Sequence, residues 1–149
     1  MAAARARGTN VARAEVAYAD TNLFVALFVG STHPLHDRAL GIFRRVAEGS
    51  LVVIVTAIVV AELVYVSRDV IGWSRAEIAD RLDGLLDADG VISTEPSVLR
   101  RALALYGNHS KLDFADAYLG AVVLEVGPAA VASFDADFDV IPTLRRVSA

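Results

Sequence analysis

Four carboxylates carry the chemistry this sequence can offer. Asp20 closes the apolar run Val16-Ala17-Tyr18-Ala19, and Asp135 follows Ala130-Val131-Ala132-Ser133-Phe134. Asp116 falls in the first turn of an expected helix, and Glu62 falls near the second turn of another, among Val59, Val60, Leu63 and Val66. Each also has a plain structural use. Asp20 can start an Asx-turn ahead of Leu23 and Phe24, Asp116 can sit at a helix N-terminus where the dipole favours negative charge, and Asp135 with Asp137 and Asp139 can form a solvated turn. Glu62 is harder to explain this way, because an ionised carboxylate among valines and leucines is costly to bury unless something pairs with it.

Brought to one cleft, the four would repel and raise one another's proton affinity unless divalent charge offset them. Oxygen donors with no cysteine, and with the histidines placed elsewhere, suit a hard ion such as Mg²⁺ or Mn²⁺ rather than zinc. Such an ion polarises a phosphoryl oxygen and acidifies a bound water, so phosphodiester hydrolysis is the reaction this set would perform.

Positioning these residues requires alternating strands and helices. Short runs rich in β-branched residues are expected as strands at Val16 to Ala19, Leu51 to Val55, Val91 to Ser93, Ala130 to Phe134, and Val140 with Ile141. Longer helical patterns separate them, which marks βα units building a parallel sheet. Ligands of such sheets bind beyond the carboxyl ends of the strands, where Asp20 and Asp135 stand. Ser74 with Glu77 forms a capping box for a helix over Arg75 to Leu86 that stops near Gly90. Thr56 and Asp113 are placed to cap the helices carrying Glu62 and Asp116. His36 to Glu48 reads as an amphipathic surface helix ended by Gly49.

At 149 residues and 55% hydrophobic, the chain can bury one core but not two ordinary ones. Residues 1–15, with Arg5, Arg7 and Arg13, are expected to form a loose extension ahead of a single domain over 16–149. The apolar stretch Leu51 to Val66 is divided by Thr56 and carries Glu62, so it reads as a buried strand and helix rather than a membrane span. The absence of cysteine removes disulfides and thiolate metal sites and fits a reducing cytoplasm. A net charge of −4 argues against a broad basic face for nucleic acid, but not against a nuclease whose acidic site is neutralised by cations. All but one of the basic residues are Arg, the exception being Lys111; the bias suits bidentate phosphate contacts, and a GC-rich genome explains it equally well.

With these residues in view the chain resembles the PIN-domain family. YADTNLFVALF around Asp20 is similar to the family's opening motif, and HPLHDRALGIFRR to the helix that follows. VVAEL around Glu62, DFADAYLGA around Asp116 and VASFDADFD around Asp135 are similar to the three later acidic motifs, in the family's order. The resemblance runs from about Val16 to Leu144. It implies a three-layer α/β/α fold with a central parallel sheet, and Mg²⁺- or Mn²⁺-dependent cleavage of RNA. It carries Asp20, Glu62, Asp116 and Asp135 over as catalytic and metal-binding residues, Asp113 as an auxiliary acid, and Asn22 and Ser133 as small polar residues that orient Asp20 or a water. Asp137 is the rival to Asp135 for the fourth acid. Many small bacterial members are VapC-like toxins, often dimeric and held inactive by a cognate antitoxin, so an antitoxin and a second copy are the expected protein partners.

Two other functions fit parts of the pattern. A phosphoryl-transfer domain of the haloacid-dehalogenase or receiver type also uses strand-end aspartates with Mg²⁺, but Asp135-Ala136-Asp137 lies too near the end of this sequence for its later motifs, and Lys111 does not follow a strand. A non-catalytic PIN-like module would bind RNA or protein without cutting, but it would be expected to have lost acids that are present here. His33, His36 and His109 sit at turns and helix ends, where surface or capping roles suffice, and Trp73 reads as a staple residue ahead of Ser74.

Overall fold

A computed structural model describes residues 13–149. In chain order the elements are β1 (Glu15–Tyr18), α1 (Thr21–Val29), α2 (His36–Ala47), β2 (Leu51–Val55), α3 (Ala57–Val66), a π-helical turn (Ser67–Ile71), α4 (Arg75–Leu86), β3 (Val91–Ser93), α5 (Pro96–Asn108), α6 (Phe114–Val126), β4 (Ala130–Ala132), a 3₁₀ turn (Ala136–Val140) and β5 (Arg145–Val147). β1 and β3 pair with β2, all parallel, with Tyr18 opposite Ile54 and Ile54 opposite Ile92. β4 and β5 form a separate parallel pair. Six helices around parallel strands make this an α/β fold of the three-layer α/β/α kind. The loose extension expected over residues 1–15 lies outside the described residues as far as residue 12, and Glu15 is already strand, paired with Leu51.

Burial follows the period-2 alternation of the central strand. Leu51, Val53 and Val55 are buried, whereas Val52 and Ile54 are half-buried on the other face, next to exposed Val16, Tyr18 and Ile92. The core on the buried side gathers Phe24, Leu63, Ile78, Leu82, Leu99, Leu103, Tyr106 and Phe114. Full burial of each such side chain contributes roughly 1.5–3 kcal/mol before entropy is subtracted.

The expected caps are present. Ser74 accepts from the Glu77 amide while the Glu77 carboxylate accepts from the Ser74 amide, and α4 spans Arg75–Leu86 as the sequence indicates. Thr56 caps α3 and Asp113 caps α6. Gly90, at φ +81°, turns the chain into β3; a Cβ there would lie 2.7 Å from Val46 Cγ1, so glycine is needed for both backbone angle and space. His36 Nδ1 lies 2.9 Å from the Ala26 carbonyl and His109 ends α5, in keeping with capping roles. Trp73 packs against Phe28, ring centroids 5.2 Å apart, with the Arg81 guanidinium over its other side.

The C-terminal segment departs from expectation. Val140 and Ile141 do not form the last strand: Val140 ends the 3₁₀ turn, and β5 is Arg145–Val147. Ile141 is apolar because it plugs α6, where a Cβ on Gly120 would meet its Cδ1 at 2.6 Å. β5 carries two arginines because it is a short, largely exposed strand, and such strands tolerate charge. β4 is also shorter than expected, ending at Ala132; Ser133 Oγ instead accepts from the Asp135 amide and starts a turn.

Candidate active site

β1 delivers Asp20 to the N-cap of α1, where its Oδ1 accepts from the Thr21 amide at 2.8 Å. Thr21 is buried, and its hydroxyl donates to Glu62 Oε2, across 41 residues of sequence. One threonine therefore holds two carboxylates, its amide serving one and its hydroxyl the other. Glu62 is not the buried charge its neighbours suggest. It shares the exposed face of α3 with Ile58, one turn earlier, while Val60, Leu63 and Val64 turn inward. The desolvation cost inferred from the sequence therefore does not arise.

The second group forms at the start of α6. Asp113 caps the helix by accepting from the Phe114 amide at 2.9 Å. Asp116 follows in the first turn, half-buried, and its carboxyl is pushed above the usual carboxylate range by burial and then by the negative charges of Asp135, Asp113 and Asp137. Asp135 caps the 3₁₀ turn, accepting from the Asp137 amide at 2.8 Å. Both rivals for the fourth acid thus act on Asp116, with Asp135 the stronger influence.

Three residues that the sequence did not single out connect the groups. Along α3 and the π-helical turn, Glu62, Tyr65 and Arg68 recur every third residue and so share a side of the helix. The Tyr65 hydroxyl is pushed up by burial and then by Asp113. The Arg68 guanidinium lies over the Tyr65 ring, 5.2 Å from its centroid, and donates to Asp113 at 3.0 Å and to Asp69 at 2.7 Å. Periodicity could have flagged Tyr65 and Arg68 as continuing the Glu62 face; Thr21 lay inside the opening motif without a role.

Asn22 does not orient Asp20, as Thr21 takes that place; Asn22 borders a groove between α1 and α2 with Leu23, Leu35 and Arg38. Ser133 supports the backbone of Asp135 rather than its carboxylate.

The match that decides the family covers this whole arrangement: the PIN-domain model aligns with residues 17–144, from β1 to the approach of β5. The chain belongs to the PIN-domain family. PIN domains are generally nucleases, which assigns this one to hydrolases at the coarse level. Neither a curated protein nor a solved structure matches the chain.

Among the described residues no three acidic or histidine side chains stand close enough to hold a metal ion by themselves. The donor set still suits a hard cation, since every candidate is a carboxylate and Asp116 already carries the strain of like charge. Mg²⁺ usually keeps several waters and uses one or two carboxylates, so a set smaller than three would be enough for it. No helix among the described residues is long and apolar enough to cross a membrane.

Proposed function

We propose that this PIN domain is a metal-dependent endoribonuclease that hydrolyses RNA phosphodiester bonds, with Asp116, Asp135, Asp20 and Glu62 as its acidic residues and Mg²⁺ or Mn²⁺ as its cation. The observation that carries the reading is that the PIN-domain fold joins Asp20 and Glu62 through Thr21 and sets Asp116 beside the Asp113 cap in the first turn of α6. When bound, a divalent cation supplies charge for a phosphoryl oxygen and a more acidic water. The chain's own residues do the rest. Asp116, in the first turn of α6, would help to hold the cation and its water. Arg68 can leave Asp69 and Asp113 for a phosphate, because an exposed ion pair is worth only about 0–1 kcal/mol while a charge-assisted phosphate contact is worth roughly 1.5–3 kcal/mol.

Within this reading the protein is a cytoplasmic toxin of the VapC kind, a homodimer restrained by a cognate antitoxin. The test of catalysis is incubation of the purified chain with single-stranded RNA in Mg²⁺ or Mn²⁺, with EDTA as control. Cleavage should need the metal and be lost in Asp116→Asn; cleavage that persists in EDTA or in the variant sinks the mechanism. The toxin role predicts growth arrest on expression, relieved by the product of an adjacent small reading frame.

The spacing of the acids favours one second reading, a PIN module that binds RNA without cutting it. It predicts RNA binding by the wild type with no cleavage in millimolar Mn²⁺.

A further inference from the structure

A cavity of about 430 Å³, within the range of small-ligand sites (roughly 300–1,000 Å³), lies between the starts of α3, α5 and α6. Its walls include Thr56, Ile58 and Ala61 from the start of α3, Glu95 at the head of α5, and Phe114 and Tyr118 from α6. Two of these walls are the helices that carry the acids. Ile58 is one turn before Glu62, and Ala61 and Ala115 in the lining directly precede Glu62 and Asp116. A nucleotide with its phosphate at Asp116 would have a neighbouring base within reach of this cavity.

The lining is apolar apart from a few polar groups, and one of them is held in an unusual way. Glu95 occupies the N-cap position of α5, yet its carboxylate does not cap the helix. It accepts instead from the Tyr118 hydroxyl, at 2.7 Å to Oε1, and both residues line the cavity. A carboxylate has about four lone-pair positions, so this single bond tethers it to Tyr118 and leaves Oε2 and part of Oε1 open to further donors. Ile58, 70% exposed, adds an apolar surface at the rim for a flat ring to cover.

We propose that this cavity seats one unpaired RNA base beside the scissile phosphate, and that Glu95 selects guanine. Single-stranded RNA is commonly read by splaying a base into a pocket and bonding its Watson–Crick edge. A tethered carboxylate offers two adjacent acceptors. Guanine alone presents two adjacent donors on that edge, its ring N–H and its amino group. Adenine and cytosine place a ring acceptor beside the amino group, and uracil flanks its single N–H with carbonyls, so each would set a lone pair against the carboxylate. Glu95 is a specificity residue and Tyr118 its positioning residue. The inference rests on the RNA-cleaving reading for the identity of the ligand, and its test separates the two.

The full chain carrying Asp116→Asn is titrated against fluorescently labelled hexauridylate, the same oligomer with one guanosine, and the same oligomer with one inosine, binding being read by anisotropy. A good bidentate pair discriminates by roughly 1–3 kcal/mol, so the guanosine oligomer should bind about tenfold more tightly than hexauridylate. Inosine, which lacks the amino group, should fall between them. Adding Glu95→Gln should bring the guanosine preference to within about twofold. Tyr118→Phe keeps the carboxylate but frees it, should reduce the preference by a smaller factor, and carries the test if the Glu95 variant fails to fold. A parent without guanosine preference, a parent that binds none of the oligomers, or a preference unchanged in both variants overturns the proposal. Wild-type cleavage of the same oligomers is measured alongside: guanosine-selective binding without cleavage removes the nuclease reading and keeps the subsite, whereas cleavage indifferent to guanosine removes the subsite alone.

Discussion

Asp20 and Glu62 are each met by a donor, the amide and hydroxyl of Thr21, whereas the charges that bear on Asp116 include three other carboxylates, Asp135, Asp113 and Asp137. The first pair is satisfied by neutral hydrogen bonds and would keep its geometry in an apo protein. The second group has one cation in contact, Arg68 on Asp113, and is otherwise kept together by helix caps. A cation would therefore change the second group far more than the first, because only there does added positive charge relieve an existing penalty. The difference separates a scaffold side of the site from a working side.

The comparison can be broken from either side. The largest effect is expected from Asp116→Asn, which should lower RNA cleavage by about 10³-fold or more, on the scale of losing a central catalytic group, read as initial rate on a labelled oligomer; a loss under tenfold would mean that Asp116 does not do the work assigned to it. Next is Arg75→Ala. Arg75 Nη1 lies within 3.2 Å of the carbonyls of Tyr106, His109 and Leu112, and its guanidinium sits 4.2 Å from the Tyr106 ring centroid, so it ties down the turn that leads into Asp113 and Asp116. Removing it should cost about 2–4 kcal/mol by urea denaturation and should reduce activity together with stability.

Thr21→Val probes the opposite side with a near-isosteric change. It deletes the hydroxyl bonded to Glu62 and should cost about 1 kcal/mol of stability, with cleavage falling roughly tenfold if Glu62 must be held in place. Equal activity in Thr21→Val would reduce the scaffold side to a helix cap.

The smallest effect is a pH slope. The raised proton affinity of native Asp116 means that the folded chain binds more protons than the unfolded chain between the unfolded and native pKa values. Stability therefore falls as pH rises through that window and is recovered as pH falls back through it. Asp116→Asn removes this contribution and should raise the neutral-pH Tm by ~1–3 °C, so the same substitution that silences the site should stabilise the fold. A Tm that drops instead would mean that Asp116 is paired with a positive group and not crowded.

Much of this was legible in the residues. The Ser74–Glu77 capping box and the caps at Thr56 and Asp113 are short-range signals, set by hydrogen bonds between near neighbours, and the structure has them where the sequence placed them. Long-range pairings were not legible. Nothing local says that the Thr21 hydroxyl reaches Glu62, or that Tyr118 holds Glu95 away from the helix it would otherwise cap. Val140 and Ile141 misled for a related reason: two apolar residues look alike whether they enter a strand or plug a helix, and only the bare surface of Gly120 decides for the plug. Glu62 misled because its sequence neighbours are apolar while its helical face is not buried.

The seat of Ile141 on Gly120 also ties two parts of the chain whose separation matters. α6 carries Asp116, and the segment that ends in Ile141 carries Asp135 and Asp137, so the two acidic segments dock where a single side-chain tip meets a bare backbone. Adding one methyl at position 120, one turn along the same face of α6 from Asp116, would press on Ile141 and push the two acidic segments apart.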